Sequence, residues 1–181
     1  MKARRSTSTE TSIAEEIQQT RGFASRGEEA TVALLRTASM LDHHLERLAQ
    51  DHGITLQQYN VLRILRGEGG PLPIMTIGER LVQPTPGTSR LITRLEKQGL
   101  IERHHGSDDR RQVLIVITRL GRQRVAALTP AIEAFDEACL GTLAEECLQG
   151  LLTTLDRLRA NIRQFSADPP APAETARSRR R

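Results

Sequence analysis

Residues 85–118 read TPGTSRLITRLEKQGLIERHHGSDDRRQVLIVIT, and their periodicity changes once, at Gly99. Before that glycine, Leu91 and Leu95 stand one helical turn apart among charged and hydroxyl residues, which marks a helix with one buried stripe. Thr85 and Pro86 offer this helix a cap and a first-turn proline, and Gly99 offers it a stop. After the glycine, Leu100 and Ile101 open a short apolar segment. A polar turn follows at Gly106-Ser107-Asp108-Asp109, and Val113-Leu114-Ile115-Val116-Ile117 is a β-branched run of the kind strands use. The spacing predicts a helix that passes directly into a two-stranded hairpin, a wing.

Upstream, PIMTIGERL (73–81) carries Ile74, Ile77 and Leu81 at helical spacing, and VQP separates it from the helix just described. Two short helices meeting at a three- to four-residue turn form a helix-turn-helix. Before them, Thr55-Leu56-Gln57-Gln58 is a capping box with a staple from Ile54 to Tyr59, so a helix runs from Thr55 to about Arg66 and stops at GEGGP. A first long helix is expected over roughly Glu28–Asp51, with Leu34, Ala38, Leu41, Leu45 and Leu48 on one stripe and His52-Gly53 at its end. Downstream, Thr118 caps a helix striped by Val125, Leu128, Ile132 and Phe135. A further capping box at Thr142-Leu143-Ala144-Glu145 opens a last helix with Leu148, Leu151, Leu152, Leu155, Leu158 and Ile162.

The expected fold class is mainly α with a small β-wing: a winged helix-turn-helix flanked by N- and C-terminal dimerisation helices. The flanking helices have long apolar stripes and no sheet to cover them, so a second copy of the chain is the natural partner. Residues 1–27 and 166–181 are polar, charged or Pro/Ala-rich. They are expected as a flexible extension, in which IAEEIQQT could form a short helix, and a disordered basic tail. The domain proper is expected over 28–165, with its DNA-binding lobe at about 55–118.

Composition narrows the function. The 181 residues hold 26 Lys+Arg against 22 Asp+Glu, with a sequence pI of 9.8, but only four aromatic residues: Phe23, Tyr59, Phe135 and Phe165. Modules that stack single-stranded bases on aromatic rings are poorly served by such a chain, whereas a duplex reader needs only Arg and hydroxyl side chains. Cys139 and Cys147 are too few for a disulfide framework or a four-ligand metal site. No apolar run approaches membrane-spanning length and no apolar region follows the basic start MKARR, so a cytoplasmic protein without a membrane partner is expected. The chain lacks a Ser/His/Asp grouping, a phosphate-cradling glycine loop and metal-ligand spacing; His104 and His105 have no carboxylate or thiol partners at zinc spacing. Neither an enzyme nor a cofactor is expected.

On the second helix of the motif, Thr85, Thr88, Ser89, Arg90, Thr93, Arg94 and Lys97 are the residues that can face a major groove, where hydroxyls and bidentate Arg read base edges. At the hairpin tip, Arg110 and Arg111 can enter a narrow minor groove, with Asp109 holding a guanidinium in place. Net charge is the weaker guide. Residues 83–111 hold six Lys+Arg against four Asp+Glu, and the last fifteen residues hold four Arg against one Asp and one Glu.

This arrangement resembles the multiple-antibiotic-resistance regulator (MarR) family of winged helix-turn-helix transcription factors over roughly residues 30–165. The resemblance is carried by ITLQQYNVLRILRGEGGPL (54–72), TIGERLVQPTPGTSRLITRLEKQGLIERHHGSDDRRQVLIVIT (76–118) and LGRQRV (120–125). Asp109, Arg111, Ile115, Ile117 and Thr118 match the family's wing signature, with Ile117 in place of its Leu. The resemblance implies a homodimer with intertwined terminal helices and two winged lobes on successive major grooves of a pseudo-palindromic operator. Half-sites would lie roughly 34–36 Å apart. It implies a ligand-responsive repressor whose effector, a small phenolic or anionic aromatic molecule, binds between the dimer helices and the lobe. The lining groups expected for that site are His43, His44, Tyr59 and Arg63. Peroxide-sensing members carry a cysteine in the first helix and urate-responsive members a tryptophan there; this chain has neither. One departure stands out: Pro84, Pro86 and Gly87 crowd the start of the reading helix, which shifts base reading toward Thr88, Ser89, Arg90 and the wing. The competing reading, a dimeric winged-helix interaction protein that no longer binds operator DNA, rests on that feature.

Overall fold

The computed structural model describes residues 11–83, 87–105 and 112–167. The elements are α1 (Ile13–Glu16), α2 (Arg26–Asp51), α3 (Leu56–Glu68), β1 (Leu72–Pro73), α4 (Ile74–Arg80), α5 (Thr88–Lys97), β2 (Ile101–His105), β3 (Val113–Ile117), α6 (Arg119–Leu140) and α7 (Glu145–Ala167). The expected class holds: a mainly helical chain with a small antiparallel sheet. The chain divides after Ile132, inside α6, into two compact units. The first holds the winged helix-turn-helix and the second holds the end of α6 with α7. Among the described residues no helix is long and apolar enough to cross a membrane.

The first unit is organised around one apolar core. Val61, Leu62 and Leu65 of α3, Ile77 of α4, Leu91, Ile92 and Leu95 of α5, Ile101 of β2, Ile115 and Ile117 of β3, and Val125 and Leu128 of α6 are all buried in it. Ile54 and Tyr59, the two staple positions, are buried there as well. Thr55 and Gln58 form the capping box that starts α3, with Gln58 N donating to Thr55 Oγ1 at 3.2 Å and Thr55 N to Gln58 Oε1 at 2.9 Å.

The sheet corrects the two-stranded expectation. Its order is β1-β3-β2: β1 pairs antiparallel with β3 through Leu72↔Ile115 and Pro73↔Leu114, and β2 pairs with the same strand from Ile101↔Ile117 to His105↔Val113. A two-residue strand ending in proline has no periodicity to betray it, and an edge position tolerates the missing N–H. Helix α5 also begins later than expected, at Thr88 with Gly87 in the cap position and no side-chain cap. The Thr85-Pro86 cap proposed from the sequence lies outside the described residues. Helix α7 begins at Glu145, so Ala144, not Thr142, holds its cap position. Of the short helix expected in IAEEIQQT only IAEE forms, as α1, and its Glu16 pairs with Arg36 of α2 at 2.7 Å. Bonds from the backbone N–H and then the side chain of Ser12 hold the Glu15 carboxyl below its ordinary value. The α1 cap is therefore present at neutral pH and is lost as the pH falls through that lowered value.

The junction behind α5 is closely packed. Gly99, at φ +68°, ends the helix in the left-handed conformation that favours glycine, and Leu100 N donates to Leu95 O at 3.0 Å. Thr118 closes the other side: its N donates to Leu100 O at 3.1 Å, its Oγ1 donates to Gly99 O at 2.8 Å, and the same Oγ1 accepts from Gly121 N at 3.0 Å. Thr118 thus caps α6, as its sequence position predicts. A Cβ at Gly121 would stand 2.2 Å from Leu100 O and 2.8 Å from Ile117 Cγ1, so only glycine lets α6 approach the end of the reading helix this closely.

The flanking helices leave much apolar surface open among the described residues, although Leu48 of α2 packs against the core. In α2 only Ala49 is buried, while Leu35 is 67% and Met40 53% exposed. In α7 no residue is buried; Leu152, Ile162 and Phe165 are each at least half exposed.

Replacing Gly121 by Ala is expected to lower the unfolding free energy by about 1–3 kcal/mol, because the clash is with backbone. Gly67→Ala, where an added carbon meets nothing within 4 Å, is expected to raise it by up to about 1 kcal/mol. Thermal unfolding followed by circular dichroism distinguishes the two. A Gly121→Ala protein as stable as the parent would show that α6 does not need this approach.

Candidate nucleic-acid interface

Helix α5 is sharply two-sided. Leu91, Ile92 and Leu95 are buried, while Ser89, Arg90, Arg94 and Lys97 are exposed and Thr93 is half-buried among them. At 100° per residue, Arg90, Thr93 and Lys97 lie opposite the buried stripe, with Ser89 and Arg94 on its flanks. Among the described residues Arg90, Arg94 and Lys97 make no ion pair, so their charge is presented to solvent. Thr88 is half-buried and close to α4: a Cβ on Gly78 would meet its Oγ1 at 3.5 Å. It serves the packing of the helix-turn-helix as much as the outer face. Thr85, Asp109, Arg110 and Arg111 lie outside the described residues.

Side-chain bonds hold the helix from two sides. Arg103 of β2 places its Nε 3.0 Å from Glu96 Oε2 and donates from Nη2 to Thr93 Oγ1 at 2.8 Å. Thr93 Oγ1 in turn donates to Ser89 O at 3.0 Å. The ion pair is partly exposed and by itself contributes little stability, but a planar fork engaging two partners fixes direction. From α3, Gln58 Nε2 donates to Gln98 Oε1 at 2.8 Å, just past the end of α5. Gln58 is the buried polar side chain of the described core, only 5% exposed. Neither Arg103 nor Gln58 was among the site residues expected from the sequence, in which Gln58 figured only as part of the α3 capping box. The signal for Arg103 was its strand period: it shares a face with buried Ile101, and that face covers α5.

The four residues expected to line an effector site do not converge. His43 and Arg63 are exposed, His44 is half-buried, and Tyr59 lies in the core at 6% exposure. A groove of about 590 Å³ does open between α2, the start of α3, the segment after α4, and α5, but its lining includes none of the four. Its apolar wall is built from Ala38, Leu41, Leu45, Leu56, Leu81 and Leu91, and its charged groups are Asp42, Glu46 and Arg94. The helical period explains the displacement. Residues 38, 41, 42 and 45 share one face of α2, and residue 43 points about 100° away from residue 42. Both carboxylates hold the walls together: Asp42 Oδ1 accepts from Gln83 Nε2 at 2.8 Å, and Glu46 Oε2 accepts from Leu56 N at 2.8 Å, the free first-turn N–H of α3.

The model of the MarR family matches residues 52–112, from the C-terminal cap of α2 to the residue before β3. By that match residues 52–112 are a MarR-family segment. The matched segment and the relatives of the chain mark it as a DNA-binding transcriptional regulator. Among its relatives is the transcriptional regulator HosA of Escherichia coli, 29% identical over 113 residues that span 58% of this chain and 83% of HosA. The crystal structure of AbsC, a MarR-family transcriptional regulator from Streptomyces coelicolor, superposes with a TM-score of 0.71 at 26% identity, covering 80% of this chain and 99% of AbsC. The S. aureus MepR–DNA complex (TM-score 0.68, 20% identity, 76% and 99% coverage) shares the fold. So does NadR in complex with 4-hydroxyphenylacetate (0.62, 23%, 76% and 97%).

Gln58→Ala removes both the amide on Thr55 N and the grip on Gln98, and is expected to cost about 1–2 kcal/mol. A double-mutant cycle with Gln98→Ala, measured by urea unfolding, is expected to give a coupling of about 0.5–1.5 kcal/mol. Additive effects would mean that the two amides do not act on one another.

Proposed function

We propose that the protein is a homodimeric, ligand-responsive repressor that reads a pseudo-palindromic operator with α5 in the major groove and the wing Arg in the minor groove. The observation that carries the reading is the outer face of α5: Arg90, Thr93 and Lys97 stand opposite the buried Leu91, Ile92 and Leu95, on a helix tied to the strand that leads into the wing. The base-reading and phosphate-binding set is Thr85, Thr88, Ser89, Arg90, Thr93, Arg94, Lys97, Asp109, Arg110 and Arg111. The exposed leucines of α2 and α7 support the dimer, since a second copy would bury them. A dimer also delivers two reading helices to one operator.

The groove beside α5 supports ligand response. Its volume falls within the range of small-molecule sites, its wall is apolar, and Arg94 lines it from the reading helix itself. A phenolic or anionic aromatic molecule seated there would touch α2, α3 and α5 together, and would shift DNA affinity to the extent that it binds the two states differently. That NadR was solved with 4-hydroxyphenylacetate agrees with this class.

The full-length protein is expected to enrich a palindromic motif from genomic fragments. Arg90→Ala and Arg111→Ala should weaken binding to it, and each lost phosphate contact should reduce the slope of log K against log salt by about 0.9. Weak binding of equal strength by parent and variants, at every sequence, would favour the interaction-protein reading instead. Leu35→Glu with Leu152→Glu is expected to yield monomers in sedimentation equilibrium. Among a panel of phenolic carboxylates including 4-hydroxyphenylacetate, at least one should raise the operator Kd about 5–150-fold. Leu45→Trp, which fills the groove, should abolish that response.

A further inference from the structure

The hydroxyl of Thr93 stands on the outer face of α5 but is already committed on both sides. Its single hydrogen goes to Ser89 O at 3.0 Å, and it accepts from Arg103 Nη2 at 2.8 Å. A hydroxyl has one hydrogen to donate. The base acceptors exposed in the major groove, N7 and O6 of guanine, N7 of adenine and O4 of thymine, therefore cannot receive a bond from it. Apart from one remaining lone pair, which can only accept from adenine N6 or cytosine N4, the group this residue still offers to a base edge is its methyl, and the complementary feature in the major groove is the thymine C5-methyl. Arg103 maintains the arrangement: the ion pair to Glu96 Oε2 at 3.0 Å anchors the guanidinium one turn along from Thr93, and the remaining arm of the fork reaches the hydroxyl.

We propose that Thr93 is a specificity-determining residue that reads a thymine methyl in each half-site, and that Arg103 is the positioning residue that keeps its hydroxyl out of base recognition. Arg103 acts through Thr93 and through the angle between α5 and β2. The inference rests on the operator-binding reading above and goes beyond it by assigning one contact and one base.

The test uses the full-length protein and the duplex it selects from a random library. Each thymine of that duplex is replaced in turn by deoxyuridine, which lacks only the methyl. At one position per half-site the replacement is expected to weaken binding by the parent about fourfold, the size expected for one methyl taken out of water. Thr93→Val keeps a methyl and should retain the thymine-over-deoxyuridine ratio at that position, whereas Thr93→Ser should bring it to about one. Arg103→Lys keeps the charge, so its salt slope should match the parent's, but it loses the two-armed fork and should lose most of the ratio. Thermal melts of all variants establish that each is folded. If no thymine of the selected duplex is sensitive, if Thr93→Ser keeps the parent's ratio, or if folded Thr93→Val loses it, then the methyl does not read the base and the proposal is overturned. Failure of the parent to enrich any motif is a different result: it overturns the operator reading, and this inference with it.

Discussion

The contact between the Leu100 carbonyl and α6 is the constraint on which the winged helix-turn-helix depends. That carbonyl accepts the N–H of Thr118, and Gly121 brings the first turn of α6 against it with no room for a side chain. Three elements meet there: α5 ends, β2 starts, and α6 leaves the sheet. Thr118 ties them together, its backbone N–H bonding Leu100 and its side chain donating to Gly99 and capping α6. The last carbonyl of the α5 stop and a first-turn N–H of α6 are thereby satisfied. The direction of α5 relative to the wing is then set by short bonds and close packing, not by a flexible linker.

With its end fixed, α5 needs lateral restraint to present one face. The core supplies most of it through Leu91, Ile92 and Leu95, and the polar grips of Arg103 and Gln58 supply the rest at opposite flanks. The Gln58 grip belongs to the same capping box that borders the groove, where Glu46 of α2 also caps the first turn of α3. A small set of hydrogen bonds thus runs from the groove wall to the end of the reading helix. Under the proposed ligand response, this set would be the physical route by which an occupied groove acts on α5.

Much of the architecture was legible in sequence because it rests on strong local signals. The Thr55–Gln58 capping box, the Leu91/Leu95 stripe, the left-handed stop at Gly99, the β-branched run at 113–117 and Thr118 as a cap all appear where the pattern placed them. Signals that were weak or ambiguous locally went astray. Thr142 carries the letters of a capping box, yet α7 starts at Glu145. Strand β1 exists only because β3 offers an open edge to Leu72 and Pro73. The four groups expected at an effector site were polar residues near apolar stripes; the groove beside α5 is walled by neighbours of His43, His44 and Tyr59, and Arg63 lies away from it. One residue along a helix is a rotation of about 100°, enough to move a side chain from a cavity wall to solvent or core.

Periodicity, caps and breakers were sufficient to establish the order of elements, the winged helix-turn-helix class and the identity of the helix that carries the exposed cations, because each is encoded within a few residues of chain. Which side chains meet across elements was decided by tertiary packing alone. Arg103 reaches α5 from β2, Gln58 reaches Gln98 across forty positions of sequence, and Gly121 is required because of a carbonyl on another element. Such pairings depend on distances between segments that no local pattern specifies, and they determine which polar groups of α5 are left free on its outer face.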